Sequence, residues 1–188
     1  MWRKTAAVFF IGFASGVVFL GILIWRGRAW KPQAVSAASV PATGKPRLLM
    51  PVQGVTAAEI RDNFDETHNG HRHEAIDIMA PRGTPVVAAD DGVIAKLFFS
   101  KAGGLTVYQF DDTREYCYYY AHLDRYADDI KDGVPVIRGQ ILGYVGTTGN
   151  APPNAPHLHF TIFKLGPEKH WWQGTAINPY PYLAEKPD

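Results

Sequence analysis

From Arg47 to the C-terminus the chain carries no long run with a helical period, and that absence confines its folded part to strands and turns. The best short helix candidate is Thr56 to Phe64, where Ala57, Ala58 and Ile60 are available for packing. Elsewhere β-branched and aromatic runs are cut at short intervals by Gly, Pro and Asp. "TPVVAADDGVIAKLFF" sets Asp91-Gly92 between two apolar runs, which predicts a hairpin. "LTVYQF" and "YCYYYAHL" flank the polar "DDTRE" and predict a second, while "GVPVIRGQILGYVG" and "PHLHFTIF" supply further strands. The pattern predicts a mainly β fold, an antiparallel sandwich or partly open barrel.

Ahead of this part, Ala6 to Trp25 ("AAVFFIGFASGVVFLGILIW") contains no charge. As a helix it would span roughly 30 Å, the thickness of a hydrocarbon core. A cleaved signal peptide has a shorter apolar core and a small-residue cleavage site close behind, whereas here Arg26, Gly27, Arg28 and Lys31 follow. The expectation is an uncleaved transmembrane signal anchor over residues 6–25, after a short cytoplasmic tail of residues 1–5. Residues 26–47, rich in Ala, Ser, Pro and Gly, read as a flexible tether.

The formal charge of +1 conceals an asymmetry, because Arg3, Lys4, Arg26, Arg28 and Lys31 meet no acidic residue before Lys45. Without those five, 14 basic residues face 18 acidic ones. Nucleic acid is therefore not an expected partner, since phosphate binding relies on clustered Lys and Arg. A lone cysteine, Cys117, excludes an internal disulfide and a multi-cysteine zinc site, and reads as a small strand residue.

All seven histidines follow the tether: His68, His71, His73, His122, His157, His159 and His170. In "HEAIDIMAP" Asp77 lies between two isoleucines of a predicted strand, so it points away from them and needs a cationic or metal partner if buried. His73, Asp77 and one histidine of "HLH" make a set of two nitrogens and one oxygen, which leaves a fourth zinc position for water. Strict alternation in "YCYYYAHL" groups Tyr116, Tyr118, Tyr120 and His122 on one face, and Cys117, Tyr119, Ala121 and Leu123 on the other. In "PHLHF" it groups His157 with His159, opposite Leu158 and Phe160. The helical H-E-x-x-H motif is absent, because no histidine follows "HE" at the required spacing.

These residues resemble the lysostaphin-type (LytM-like) zinc metallopeptidases, a family of peptidoglycan DD-endopeptidases. The resemblance covers residues 50–183 and rests on five ordered elements: His73-x-x-x-Asp77, "APRGTPVVAADDGVI", "YYAHL", "GQILGYVGTTGN" and "PHLHF". It implies a metallopeptidase domain over residues 48–188, an antiparallel β-sheet with the site in a groove across it. It further implies one Zn2+ held by His73, Asp77 and His159, with His122 and His157 as catalytic residues beside the metal-bound water. The implied substrate is the peptide part of peptidoglycan. The domain would then lie outside the cytoplasm on a single-pass inner-membrane anchor, in the periplasm where an outer membrane is present. One departure is that Ala75 stands where the family pattern His-x-Gly-x-Asp has glycine.

Two other readings compete. A catalytically silent or partner-activated domain of this type would regulate other cell-wall hydrolases, but the five site positions are all present, which favours catalysis. A lipoyl-like carrier, suggested by the Gly-Val hairpins, would need an exposed lysine at a tight turn and leaves the histidines unexplained. Trp171 and Trp172 are expected to close the core.

Overall fold

A computed structural model of the chain describes residues 47–68 and 70–183. The predicted anchor at 6–25, and the tether apart from Arg47, lie outside the described residues. Among those described, no helix is long and apolar enough to cross a membrane.

The chain passes a 3-10 turn (Ala57–Glu59) and a two-stranded hairpin of β1 (Thr67–His68) and β2 (His71–Arg72), then enters the main sheet. That sheet contains β3 (Ile76–Met79), β4 (Pro85–Val87), β5 (Gly92–Ser100), β6 (Gly104–Phe110) and β7 (Tyr116–Tyr126). Further along come β8 (Pro135–Val136), β9 (Ile141–Val145), β10 (His157–Leu165) and β11 (Gly174–Ile177), before a last helical turn α1 (Tyr180–Leu183). Every pairing is antiparallel, and the strand order is β11-β10-β7-β6-β5-β8, with β3 on β10 and with β9 joining β4 to β7. The expected mainly β, antiparallel fold is observed; in place of a sandwich or barrel the described residues form an open sheet whose path ends at β11 and β8 without closing.

One face of this sheet carries the core. Leu158, Phe160 and Ile162 of β10 alternate inward and meet Tyr118 and Tyr120 of β7, in the register Phe160 opposite Tyr120 and Ile162 opposite Tyr118. Tyr120 is fully buried, yet its hydroxyl is satisfied: it donates to Gln109 Oε1 (2.8 Å) and accepts from the Ala89 N–H (2.9 Å). Cys117 is buried as well, and burial pushes its thiol up to about 12, which makes it inert at neutral pH.

Local signals and pairing disagree at two places. Asp91-Gly92 does turn the chain, but its flanking strands do not pair with each other: β4 pairs with β9, and β5 with β6 and β8. The turn is tied to its surroundings instead, through Gln109 Nε2 to the Asp90 carbonyl (2.7 Å) and the Arg138 N–H to Asp91 Oδ1 (2.7 Å). The short helix expected over Thr56–Phe64 contracts to the Ala57–Glu59 turn, closed by Thr56 N–H and hydroxyl bonds to Glu59 Oε2 (2.8 and 2.7 Å). Beyond it the chain runs irregularly, burying Ile60, Asn63 and Phe64 and bringing the Asn63 carbonyl to the His73 ring.

Tyr120→Phe strands the Ala89 N–H and one Gln109 bond in the core. It should destabilise the domain by about 1–3 kcal/mol, seen as a lower urea midpoint with an unchanged m-value.

Candidate metal centre

Three side chains from separate segments converge on one point. β3 pairs with β10 so that Asp77 lies directly opposite His159, on the face away from buried Ile76 and Ile78. His73 reaches the same point from the segment between β2 and β3. Its Nε2 is 3.0 Å from Asp77 Oδ1 and 3.1 Å from His159 Nδ1, which is itself 3.2 Å from Asp77 Oδ1. A carbonyl only accepts, so the 3.1 Å contact of His73 Nδ1 with the Asn63 carbonyl places the proton on Nδ1 and the lone pair of the neutral ring on Nε2.

This geometry fits a small metal ion. Ligands at about 2.0–2.1 Å from a tetrahedral centre lie roughly 3.3 Å from one another, close to the edges of this triangle. The donor set of two imidazoles and a carboxylate suits zinc, and the oriented Nδ1–H of His73 is the outer contact that metal-bound histidines characteristically make. Buried Asn63 serves twice, since its Oδ1 also accepts the Asp77 N–H (3.2 Å).

His122 and His157 border the triad. The His157 ring stands 4.9 Å from the His122 ring, and His122 is 5.5 Å from His159, centroid to centroid. His157 Nδ1–H donates to the Ala155 carbonyl (2.8 Å) and its Nε2 is 3.6 Å from Asp77 Oδ1. His122 Nδ1–H donates to the Thr148 carbonyl (2.8 Å). The face predicted for His122 by alternation is corrected here. Tyr118 and Tyr120 point into the core, whereas the Tyr119 ring meets His159 at 6.1 Å. Between Tyr120 and Leu123 the strand holds one residue more than its partner β6, which advances only from Val107 to Leu105. His122 sits in this bulge with φ +62° and so turns from the core side to the site.

Charge follows geometry. Burial would raise the Asp77 carboxyl, but hydrogen bonds from His159 and His73 and the neighbouring imidazoles overcome it and hold the group far below its ordinary value. Burial also opposes charge on His73, where the Asp77 carboxylate outweighs it and raises the ring above 6.5. Burial lowers His159 despite Asp77, and pushes His122 down to about 4 despite the bond to Thr148.

Other sequence candidates fall elsewhere. His71 is exposed on β2, outside the converging triad. His170 stacks on Trp172 at 4.4 Å. The tryptophans do not close the core: Trp171 lies against Tyr108 (4.7 Å) and Phe98 (5.5 Å), and Trp172 is 61% exposed. The lysine nearest the Asp91-Gly92 turn, Lys96, lies within β5 and pairs with Asp132, so that turn offers no acceptor lysine for a carrier. Sequence reasoning missed Asn63 and Thr148. Both hold histidines through main-chain carbonyls, which no residue type announces, although Thr148 does lie in the quoted "GTTGN".

Residues 71–179 match peptidase family M23. The chain belongs to this family. Its M23 domain is 35% identical over 116 residues to the L-Ala--D-Glu endopeptidase of Bacillus subtilis (strain 168), covering 59% of this chain and 34% of that protein. It is 34% identical over 131 residues to the peptidoglycan DD-endopeptidase ShyC of Vibrio cholerae serotype O1, covering 70% of this chain and 26% of that protein. The chain therefore spans only about a quarter to a third of the length of these relatives. The crystallized catalytic domain of lysostaphin from Staphylococcus simulans superposes with a TM-score of 0.53 at 33% identity, over 62% of this chain and 83% of that one.

The alanine in the M23 signature is accommodated without strain at its own position. The left-handed residue of this loop is Glu74 (φ +54°), fixed by its N–H to the Phe64 carbonyl (2.9 Å) and by Thr161 Oγ1 donating to its carbonyl (2.7 Å). Ala75 buries its methyl completely.

Because the Asp77 carboxylate raises His73, its ring keeps a proton to higher pH than an ordinary imidazole in the metal-free protein, and a metal ion must displace that proton. Zinc affinity should accordingly fall by about tenfold or more between pH 8 and pH 6 in a chelator competition. Asn63→Ala, which frees the Asp77 N–H and keeps the carbonyl, should weaken zinc roughly 10-fold with the fold intact by circular dichroism.

Proposed function

We propose that the M23 domain is a zinc-dependent endopeptidase that hydrolyses peptide bonds in peptidoglycan stem peptides or cross-links. The observation that carries this reading is the convergence of His73 Nε2, Asp77 Oδ1 and His159 Nδ1 beside two more imidazoles whose Nδ1 protons are tied to carbonyls. It is supported by the family and by relatives named for peptidoglycan endopeptidase activity.

Zinc bound at the triad would supply Lewis acidity, activating a water near neutral pH and polarising the scissile carbonyl. The protein's own groups then divide the proton work. His122, kept neutral by burial and with its Nδ1–H held by Thr148, offers Nε2 as the proton acceptor for the attacking water. His157, with its Nδ1–H held by the Ala155 carbonyl, takes the donor's part, turning Nε2 toward the developing oxyanion or the leaving amine. An open pocket of about 430 Å³ adjoins Asp77, lined by Glu59, Arg61, Asn63 and Met79, and gives room for substrate residues beside the centre.

In this reading residues 6–25 anchor the domain to the cytoplasmic membrane and the tether holds it on the outer side. The apolar run and the location of the substrate support that placement.

With purified cross-linked peptidoglycan, the zinc-loaded protein should release fragments with new peptide ends, identified by mass spectrometry. His73→Ala should lose both zinc and cleavage, while His122→Ala should keep zinc and lose turnover by roughly 10²–10⁴-fold. Cleavage that is unaffected by either substitution would overturn the assignment.

A further inference from the structure

At the His122 bulge the two strands β6 and β7 fall out of step, and one side chain from a distant loop joins them. Thr148 Oγ1 accepts from the Leu105 N–H (2.9 Å) and donates to the Leu123 carbonyl (2.7 Å). These are the partner residues that resume the ladder beyond the extra residue. The Thr148 carbonyl in turn accepts His122 Nδ1–H (2.8 Å), and the His122 N–H donates to the Gly103 carbonyl (2.8 Å).

The approach is close enough to dictate sequence. A Cβ at Gly104 would lie 2.1 Å from Thr148 Oγ1, and one at Gly149 would lie 2.2 Å from the Ala102 carbonyl oxygen. Both glycines also have left-handed backbones, φ +64° and +79°, so neither position accepts a side chain readily. The Asn150 N–H closes the contact on the Ala102 carbonyl (2.9 Å). The loops at 102–104 and 148–150 thus form a clasp around the bulge, with the Thr148 hydroxyl as its pin.

We propose that Thr148 is a positioning residue for catalysis: its hydroxyl locks the bulge, and its carbonyl selects the His122 tautomer that bears the free Nε2 lone pair. The proposal rests on the reading that His122 takes part in turnover. It gives Thr148 of the "GTTGN" segment a task distinct from metal binding, since its hydrogen bonds reach Leu105, Leu123 and His122.

The test uses the full zinc-loaded chain and its Thr148→Val, Thr148→Ser and His122→Ala variants, with purified cross-linked peptidoglycan as substrate. Thr148→Val keeps the side-chain volume and removes the hydroxyl. It should lower kcat by roughly 10–100-fold with KM and zinc content unchanged, while Thr148→Ser restores turnover to within about threefold. In the His122→Ala background, Thr148→Val should have no further effect on the residual rate. Nitrogen NMR of histidine-labelled protein should show His122 protonated at Nδ1 in the wild type and the Ser variant, and as a mixture of tautomers in the Val variant. Zinc loss in Thr148→Val, an undiminished effect in the His122→Ala background, or an unchanged tautomer would each overturn the proposal. If the wild type cleaves nothing, the functional reading fails, and the tautomer measurement still decides the role of Thr148.

Discussion

The register of β3 on β10 is the constraint on which the rest depends. It sets Asp77 opposite His159 on the face turned away from the core, and a slip of one residue would bury the carboxylate and expose Ile76 and Ile78. That alternative is prohibitive because it would set an ionised carboxylate among the apolar side chains of the core, away from the imidazoles that pair with it. Packing of Leu158, Phe160 and Ile162 against Tyr118 and Tyr120 therefore fixes the positions of ligand atoms on the other side of the sheet. Core and site are two faces of one pairing.

The remaining machinery is attached by breaking regularity. Among the left-handed residues other than glycine, Glu74 follows the ligand candidate His73 and His122 stands beside His159, and each is over-determined by hydrogen bonds to its backbone or ring. At Glu74 the chain turns between two ligands. At His122 the edge of β7 changes partner, from β10 up to Ala121 to β9 from Leu123 onward, and the extra residue is delivered to the site. A regular strand would place that imidazole among the tyrosines of the core.

What the sequence discloses follows from the range of the interactions involved. Alternation suffices for β10 and for the β6–β7 hairpin, because the buried face and the turn are local. His73, Asp77 and His159 are legible because the motifs preserve residue types that chemistry requires. The partner of β4 is not legible, since Asp91-Gly92 is a turn in either case and β9, some fifty residues onward, decides the pairing. The face of His122 is misread because alternation assumes extended backbone and nothing local marks the bulge. Asn63 and Thr148 act through carbonyls, which every residue has, so only the fold reveals them.

Family membership and the triad support one proposal: that two imidazoles and one carboxylate would hold a single zinc ion and leave a position for water. Zinc K-edge X-ray absorption on the metal-loaded protein tests it most directly. Two imidazole ligands and two oxygen ligands at about 2.0–2.1 Å are the expected result, one oxygen from Asp77 and one from solvent. A first shell of three or four imidazoles would show that His122 or His157 is itself a ligand. That result would contradict the division of this site into residues that hold the metal and residues that move protons.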